Sequence, residues 1–129
     1  MNVLLDTRTL LWLVSDPAVI DPAALEVLSD PLTAVFVTAA SAWEIAIKTR
    51  IGRLDGDALL SAWPEIVAAL RATELAISAG DAIHAGRLGW ENKDPFDRMI
   101  VAQSMRRGLT VATRDRRILD AGLAATLPV

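Results

Sequence analysis

The sequence predicts an α/β fold in which helices pack against a central parallel sheet. Short, continuously apolar runs are typical of strands buried on both faces, and they occur as VLL at 3–5, AVFVT at 34–38 and LTVAT at 109–113. Helical patterns separate these runs, and strands that alternate with helices form parallel sheets. A length of 129 residues, without a repeat or linker, predicts a single domain over 1–129.

The helices are predicted from their apolar patterns and their start and stop signals. In chain order they are TRTLLWLVSD, PAALEVLS, SAWEIAIKTR stopping at Gly52, residues 57–72 with an interruption at Pro64, GDAIHAGRL, PFDRMIVAQSMRR closed by Gly108, and DRRILDAG. Pro64 is expected to open a second helical segment. LAI at 75–77 is a weak strand candidate.

Composition restricts the function classes. An apolar fraction of 53% predicts hydrophobic surface that meets a partner chain. No run approaches the roughly 20 apolar residues of a membrane span, and the N-terminus lacks the features of a secretory signal. Without cysteine there is no disulfide or thiolate metal site, so a cytoplasmic location is expected.

Charge is distributed unevenly along the chain. The net charge is −3, but residues 97–129 carry six arginines against three aspartates. This basic third could attract a polyanion, or it could be an ordinary solvated helix face.

Four acidic residues follow the predicted strands or begin helices near them. They are Asp6, Glu44, Asp97 and Asp115. Ligands of open α/β sheets bind outside the carboxyl ends of the strands, so these side chains are expected to converge. Carboxylates that share a site resist joint ionisation unless a cation is bound. Oxygen ligands alone favour Mg²⁺ or Mn²⁺, which suits phosphodiester hydrolysis.

All of these acids except Asp6 also have an interpretation as residues that stabilise the start of a helix, Asp97 through the helix dipole. Ser41 and Glu44 fit a capping box, Asp94 fits an N-cap before Pro95, and Asp115 could cap the last helix. Asp6 follows a strand and is not expected to be needed as a cap. The joint occurrence of the four favours the metal site.

Three segments together resemble VapC-type PIN-domain proteins, the toxin half of bacterial and archaeal toxin–antitoxin pairs. They are LLDTRTLLWLVSDP, TAASAWEIAIKTRIGRL and DPFDRMIVAQSMRRGLTVATRD. The resemblance implies a three-layer α/β sandwich, with helices on both faces of a parallel sheet of four to five strands. It also implies a metal-dependent endoribonuclease with RNA as substrate, usually a homodimer, silenced by a cognate antitoxin.

Carried over residue by residue, the resemblance assigns the metal ligands to Asp6, Glu44, Asp97 and Asp115, with Thr113 as a supporting hydroxyl. Asp94 then caps the helix. Relatives often have a histidine shortly before DPFDR, where this chain has Asn92 and Lys93. They also commonly have an aromatic residue in the closing segment, where ILDAGLAATLPV has none.

Two other classes of protein also gather acids around Mg²⁺ on a parallel sheet. A receiver-type phosphorylation switch needs a phospho-accepting Asp after a middle strand, and an Asp-nucleophile phosphatase needs a second acid two residues after the first. Neither pattern is present. A catalytically inactive PIN-fold binding module stays open. His84 is expected to be a packed imidazole, Trp12 and Trp43 core residues, and Trp63 the best candidate for an exposed partner surface.

Overall fold

The computed structural model covers residues 1–129 and contains five strands and eight α-helices. The strands are β1 (Asn2–Leu5), β2 (Ala34–Thr38), β3 (Ala72–Leu75), β4 (Thr110–Thr113) and β5 (Thr126–Pro128). The helices are α1 (Thr7–Ser15), α2 (Pro22–Ser29), α3 (Ala39–Arg50), α4 (Asp57–Ser61), α5 (Trp63–Ala69), α6 (Ala79–Arg87), α7 (Pro95–Arg107) and α8 (Arg116–Ala121). None of these helices combines the length and the apolar character that crossing a membrane requires.

All five strands are parallel and lie in the order β3-β2-β1-β4-β5. The chain builds outward from β1 to β3 and then returns to the other side of β1. The strand order therefore reverses between β1 and β4, which is where open α/β sheets form a ligand crevice at their carboxyl ends.

Side chains of β1 alternate between two apolar cores, one on each face of the sheet. Val3 and Leu5 pack in the core that includes Leu10 of α1. Leu4 packs in the other core with Ile100 of α7. The predicted sandwich of helices on both faces of a parallel sheet is thus confirmed.

The start of α3 differs from the prediction. The helix begins at Ala39, directly after β2, and the Thr38 hydroxyl accepts a hydrogen bond from the Ala40 N–H at 3.1 Å. Ser41 is therefore inside the helix, where its buried hydroxyl hydrogen-bonds to that of Thr7 at 2.9 Å. The predicted capping box of Ser41 and Glu44 is wrong, because the hydroxyl of Thr38, directly before the helix, is the cap.

The third strand also lies earlier than predicted. It spans Ala72–Leu75 instead of 75–77, and it pairs with β2 from Ala72 opposite Val35. Arg71 has a φ of 53°, and this left-handed residue turns the chain from α5 directly into the strand. The break between α4 and α5 falls at Ala62, so Pro64 is at the start of α5 as predicted.

Candidate active site

The carboxyl ends of β1 and β4 open into a cleft of about 660 Å³. Its walls carry all four predicted acids, Asp6, Glu44, Asp97 and Asp115, together with Asp94. They also carry the basic side chains Arg8, Lys48, Arg53, Arg114, Arg116 and Arg117. The cleft therefore combines groups that can bind a cation with groups that can bind a phosphate.

Asp6 lies at the buried end of the cleft and is only 7% exposed. It caps α1, since its Oδ1 accepts a hydrogen bond from the Thr9 N–H at 2.8 Å. The expectation that Asp6 is not needed as a cap is therefore wrong. Its Oδ2 accepts a second hydrogen bond from the Thr113 hydroxyl at 2.5 Å. Burial, with a smaller contribution from the negative charge of Asp115, raises the pKa of Asp6 above its ordinary value.

Asp115 lies across the cleft from Asp6 and caps α8 through the Arg117 N–H at 2.9 Å. The Thr113 hydroxyl accepts a hydrogen bond from the Asp115 N–H at 3.0 Å while it donates to Asp6. Thr113 thus has the supporting position that the resemblance implies. The side-chain hydrogen bonds of Arg117 lower the pKa of Asp115 and keep this carboxylate ionised.

The two aspartates of DPFD have different surroundings. Asp94 caps α7 and accepts hydrogen bonds from the N–H groups of Phe96 at 2.9 Å and Asp97 at 3.1 Å. Its predicted capping role is confirmed. The Asp97 Oδ2 instead accepts from the Asn92 side-chain amide at 3.0 Å and from Arg117 at 3.2 Å. Burial is the main cause that raises the pKa of Asp97, and the negative charges of Asp94 and Asp115 add to it. The pKa is raised to about 6.

Glu44 reaches the cleft from α3 and is 6% exposed. Its carboxylate pairs with Lys48, one turn later on the same helix, at 2.5 Å. No hydrogen bond joins it to Asp6, Asp97 or Asp115.

The donor chemistry of the cleft fits a hard divalent cation. All candidate ligands are carboxylate oxygens, and a cation would relieve the cost of burying the charges of Asp6 and Asp97. No three of the acids, however, lie close enough together in this arrangement to hold one ion. Arg117 pairs with both Asp97 and Asp115, and Lys48 pairs with Glu44, so basic side chains balance the charge of three of the four acids in this arrangement.

Several residues of the site were missed by sequence reasoning. Asn92 stands where relatives often have histidine, and its side chain both donates to Asp97 and accepts from the Asp94 N–H at 2.9 Å. Arg98 donates to the carbonyl groups of Ala85, Trp90 and Asn92, each at 2.9 Å, and so fixes the loop that carries Asn92. The Asn-x-Asp spacing is a turn signal that could have identified Asn92. Nothing in the local pattern identifies the partners of Arg98.

Trp43 is placed differently from the prediction, whereas Trp12 packs against the core as predicted. Trp43, expected in the core, is 56% exposed and contacts the Phe96 ring edge to face at 5.1 Å between ring centroids. Trp63 is half-buried and donates from its indole N–H to Glu74 at 2.6 Å. Trp12 is half-buried beneath the Arg114 guanidinium, 4.3 Å from the ring centroid. His84 lies outside the cleft lining, as expected.

The sheet order and the cleft define an α/β protein with a crevice lined by carboxylates and basic side chains at its topological switch point. The chain belongs to the PIN domain family, whose model matches residues 3–123. The resemblance found in the sequence is thereby confirmed at the level of this family, and the receiver and phosphatase interpretations are dropped. No protein of curated function matches the sequence significantly.

Solved structures share the fold at low sequence identity. VapBC2 from Rickettsia felis, bound to a DNA fragment from its promoter, has a chain with a TM-score of 0.71 and 13% identity, with 98% of each chain covered. A chain of VapBC-1 from nontypeable Haemophilus influenzae has a TM-score of 0.67 and 17% sequence identity, with 98% of this chain and 97% of that chain covered. A chain of FitAcB from Neisseria gonorrhoeae has a TM-score of 0.57 and 23% sequence identity, with 98% of this chain and 96% of that chain covered.

Proposed function

We propose that this protein is a Mg²⁺- or Mn²⁺-dependent endoribonuclease and the toxin of a toxin–antitoxin pair. The observation that carries the proposal is the single cleft in which the four acids of a PIN domain face six basic side chains. The acids suit a hard cation, and the basic residues suit the phosphates of RNA. The proposed substrate also implies action in the cytoplasm.

Asp6, Glu44, Asp97 and Asp115 are the proposed ligands of the cation. A divalent cation bound there would supply Lewis-acid activation of the scissile phosphate and of the attacking water. Thr113 fixes the carboxylate of Asp6 and the backbone of Asp115, so these two groups are held in place before substrate binds. The exposed side chains of Arg8, Arg53 and Arg116 are available for neighbouring phosphates.

The similar solved structures support an antitoxin partner, since they carry the names VapBC and FitAcB and the sequence resembles VapC. We propose that a helix of the antitoxin packs against α4 and α5, where Leu60 and Trp63 are half-buried. We also propose a homodimer through α3, α6 and α7. Trp43 and Ile83 are 56% and 55% exposed there, beside an apolar groove of about 280 Å³.

The test is cleavage of RNA by the purified protein without antitoxin, with Asp6→Asn as the inactive control. We expect cleavage with Mg²⁺ or Mn²⁺, none with a chelator, and products with 5′-phosphate and 3′-hydroxyl ends, because water is the proposed nucleophile. Cleavage that persists in chelator, or 2′,3′-cyclic phosphate ends, would contradict the metal mechanism. A folded wild type that never cuts RNA would favour the inactive binding module.

A further inference from the structure

Arg117 joins two acids of the cleft that come from different elements. Its Nε and Nη2 donate to the two oxygens of Asp115 at 3.2 and 2.9 Å, and Nη2 also donates to Asp97 Oδ2 at 3.2 Å. The side chain is 60% exposed at the mouth of the cleft. Its Nη1 has no partner within the protein, so part of the guanidinium still faces solvent.

The positive charge of Arg117 contacts two of the proposed metal ligands, Asp97 and Asp115. A carboxylate has several acceptor positions, so a guanidinium and a metal ion can contact the same group. Two positive charges on one pair of carboxylates nevertheless repel each other, and a bound cation also makes each oxygen a poorer acceptor for Arg117. Binding of the metal and the contact of Arg117 with Asp97 therefore oppose each other.

We infer that Arg117 is a built-in competitor of the divalent cation that becomes a phosphate-binding residue when RNA arrives. The inference rests on the proposed function. An RNA phosphate at the cleft mouth offers the guanidinium a better partner than Asp97, because planar N–H donors bind phosphate in pairs. When the guanidinium leaves Asp97 for the phosphate, its opposition to the metal is removed. RNA and metal should therefore strengthen each other's binding, as linkage requires of coupled sites.

The first experiment measures Mn²⁺ affinity from the electron paramagnetic resonance signal of the free ion, without RNA. Arg117→Ala should bind Mn²⁺ about two- to fivefold more tightly than wild type, the range expected when an exposed ion pair is removed. Arg116→Ala is the matched control, because Arg116 has the same charge in the same cleft but no hydrogen bond to either carboxylate. It measures the general effect of one charge, and the gain for Arg117→Ala should exceed it.

The second experiment measures RNA cleavage at saturating Mn²⁺. Arg117→Ala should have a KM for RNA several-fold above that of wild type, and Arg117→Lys should recover part of the loss because it keeps the charge. In wild type the half-saturating Mn²⁺ concentration should fall as RNA is raised, and in Arg117→Ala it should fall less, because only the direct contact of metal and phosphate still couples the two ligands. A residue that only stabilised the fold would weaken both ligands together.

The outcomes separate this inference from the proposed function. If wild type binds no Mn²⁺, the proposed metal mechanism fails. If wild type binds Mn²⁺ but Arg117→Ala binds it no more tightly than Arg116→Ala, the competition is disproved. Weaker Mn²⁺ binding by Arg117→Ala would mean that the guanidinium positions the carboxylates for the metal, the opposite of what we infer.

Discussion

Three single residues before helices both cap a helix and line the cleft. Asp6, Asp94 and Asp115 each cap a helix through backbone N–H groups, and all three line the cleft. Capping holds a carboxylate in a fixed position and directs the helix dipole toward it. A cap and a ligand are thus compatible, and a capping pattern in a sequence is not an argument against a functional acid.

The two aspartates of DPFD should respond differently to substitution by asparagine. Asparagine caps a helix about as well as aspartate, so Asp94→Asn should change stability by less than about 0.5 kcal/mol and retain most cleavage. Asp97→Asn removes a charge that Asp94 and Asp115 crowd, so without metal its melting temperature should equal or exceed that of wild type. Its cleavage rate should fall by orders of magnitude, since a proposed ligand is lost.

Melting temperatures in chelator and cleavage rates at saturating RNA distinguish the two variants. Asp94→Ala serves as the control for the cap, and it should cost about 0.5–2 kcal/mol of stability. If Asp94→Asn abolishes cleavage while Asp97→Asn spares it, the two assignments are reversed.

The acids of the site could be predicted from the sequence, but the contacts of its arginine side chains could not. Asp6 and Asp115 follow apolar strands, so their approach follows from the geometry of a parallel sheet. The contact of Arg117 with Asp97 joins residues on α8 and α7, and the contacts of Arg98 are with backbone carbonyls. Neither kind of contact leaves a pattern in the local sequence, because it depends on how two helices pack.

At the scale of elements, prediction succeeded where helices have strong end signals and failed where they do not. α7 is bounded by Asp94 as N-cap and by Gly108 with a φ of 63°, and its limits match the sequence pattern. α3 begins two residues before Ser41, because Thr38 is both the last strand residue and the cap. β5 has three residues, too few for a pattern, and its pairing with β4 defines it.

Helices α6 and α7 are joined by a buried aspartate that the sequence did not single out. Asp81 is fully buried and accepts hydrogen bonds from Arg106 at 3.0 Å and from Arg107 at 2.6 and 2.9 Å. It also completes a capping box with Ser78 at the start of α6. These hydrogen bonds, of which those from Arg107 have the largest effect, hold the pKa of Asp81 well below its ordinary value of 3.8.

Asp81→Asn should lower the free energy of unfolding by about 2 kcal/mol near pH 7, as expected when charged hydrogen bonds are lost. Because the pKa of Asp81 is lower in the folded protein than in the unfolded chain, its stabilisation is complete above the unfolded value of 3.8. The stabilisation is then lost as the pH falls toward the folded value. The difference in stability between wild type and variant should therefore narrow in acid.

Urea unfolding at about pH 7 and about pH 3 measures this difference. Glu26→Gln is the control, since Glu26 is an exposed acid on α2 without an ion pair, and it should change stability little at either pH. A difference between wild type and Asp81→Asn that is equally large at both pH values would show that the charge of Asp81 is not what stabilises the helix pair.

At the scale of the whole molecule, two separate apolar surfaces are candidates for binding a partner. One is the face of α3, α6 and α7, where Trp43 and Ile83 are more than half exposed. The other is α4 and α5, where Leu60 and Trp63 are half-buried against the core. The sequence predicted a partner surface at Trp63 but did not predict the exposure of Trp43, because exposure depends on helix packing that composition does not contain.

The proposed dimer surface and the proposed antitoxin surface are separate. A substitution in one surface should therefore leave binding at the other nearly unchanged. Ile83→Asp places a charge in the proposed dimer interface, so it should convert the dimer to a monomer in light scattering and leave antitoxin affinity nearly unchanged. Leu32→Asp is the control, because Leu32 is 87% exposed in the loop after α2 and belongs to neither surface. A protein that is monomeric as wild type, or a dimer that survives Ile83→Asp, would disprove this interface.

Leu60→Ala and Trp63→Ala should instead weaken antitoxin binding and leave the dimer intact. An amphipathic helix laid against α4 and α5 would cover the exposed parts of both side chains, and truncating such anchors typically costs about 2 kcal/mol or more of binding free energy. Both residues also pack against the core, so affinity is compared only between variants that remain folded by circular dichroism. If Trp43→Ala weakens antitoxin binding while Leu60→Ala and Trp63→Ala do not, the antitoxin binds the face of α3, α6 and α7 and the proposed assignment is wrong.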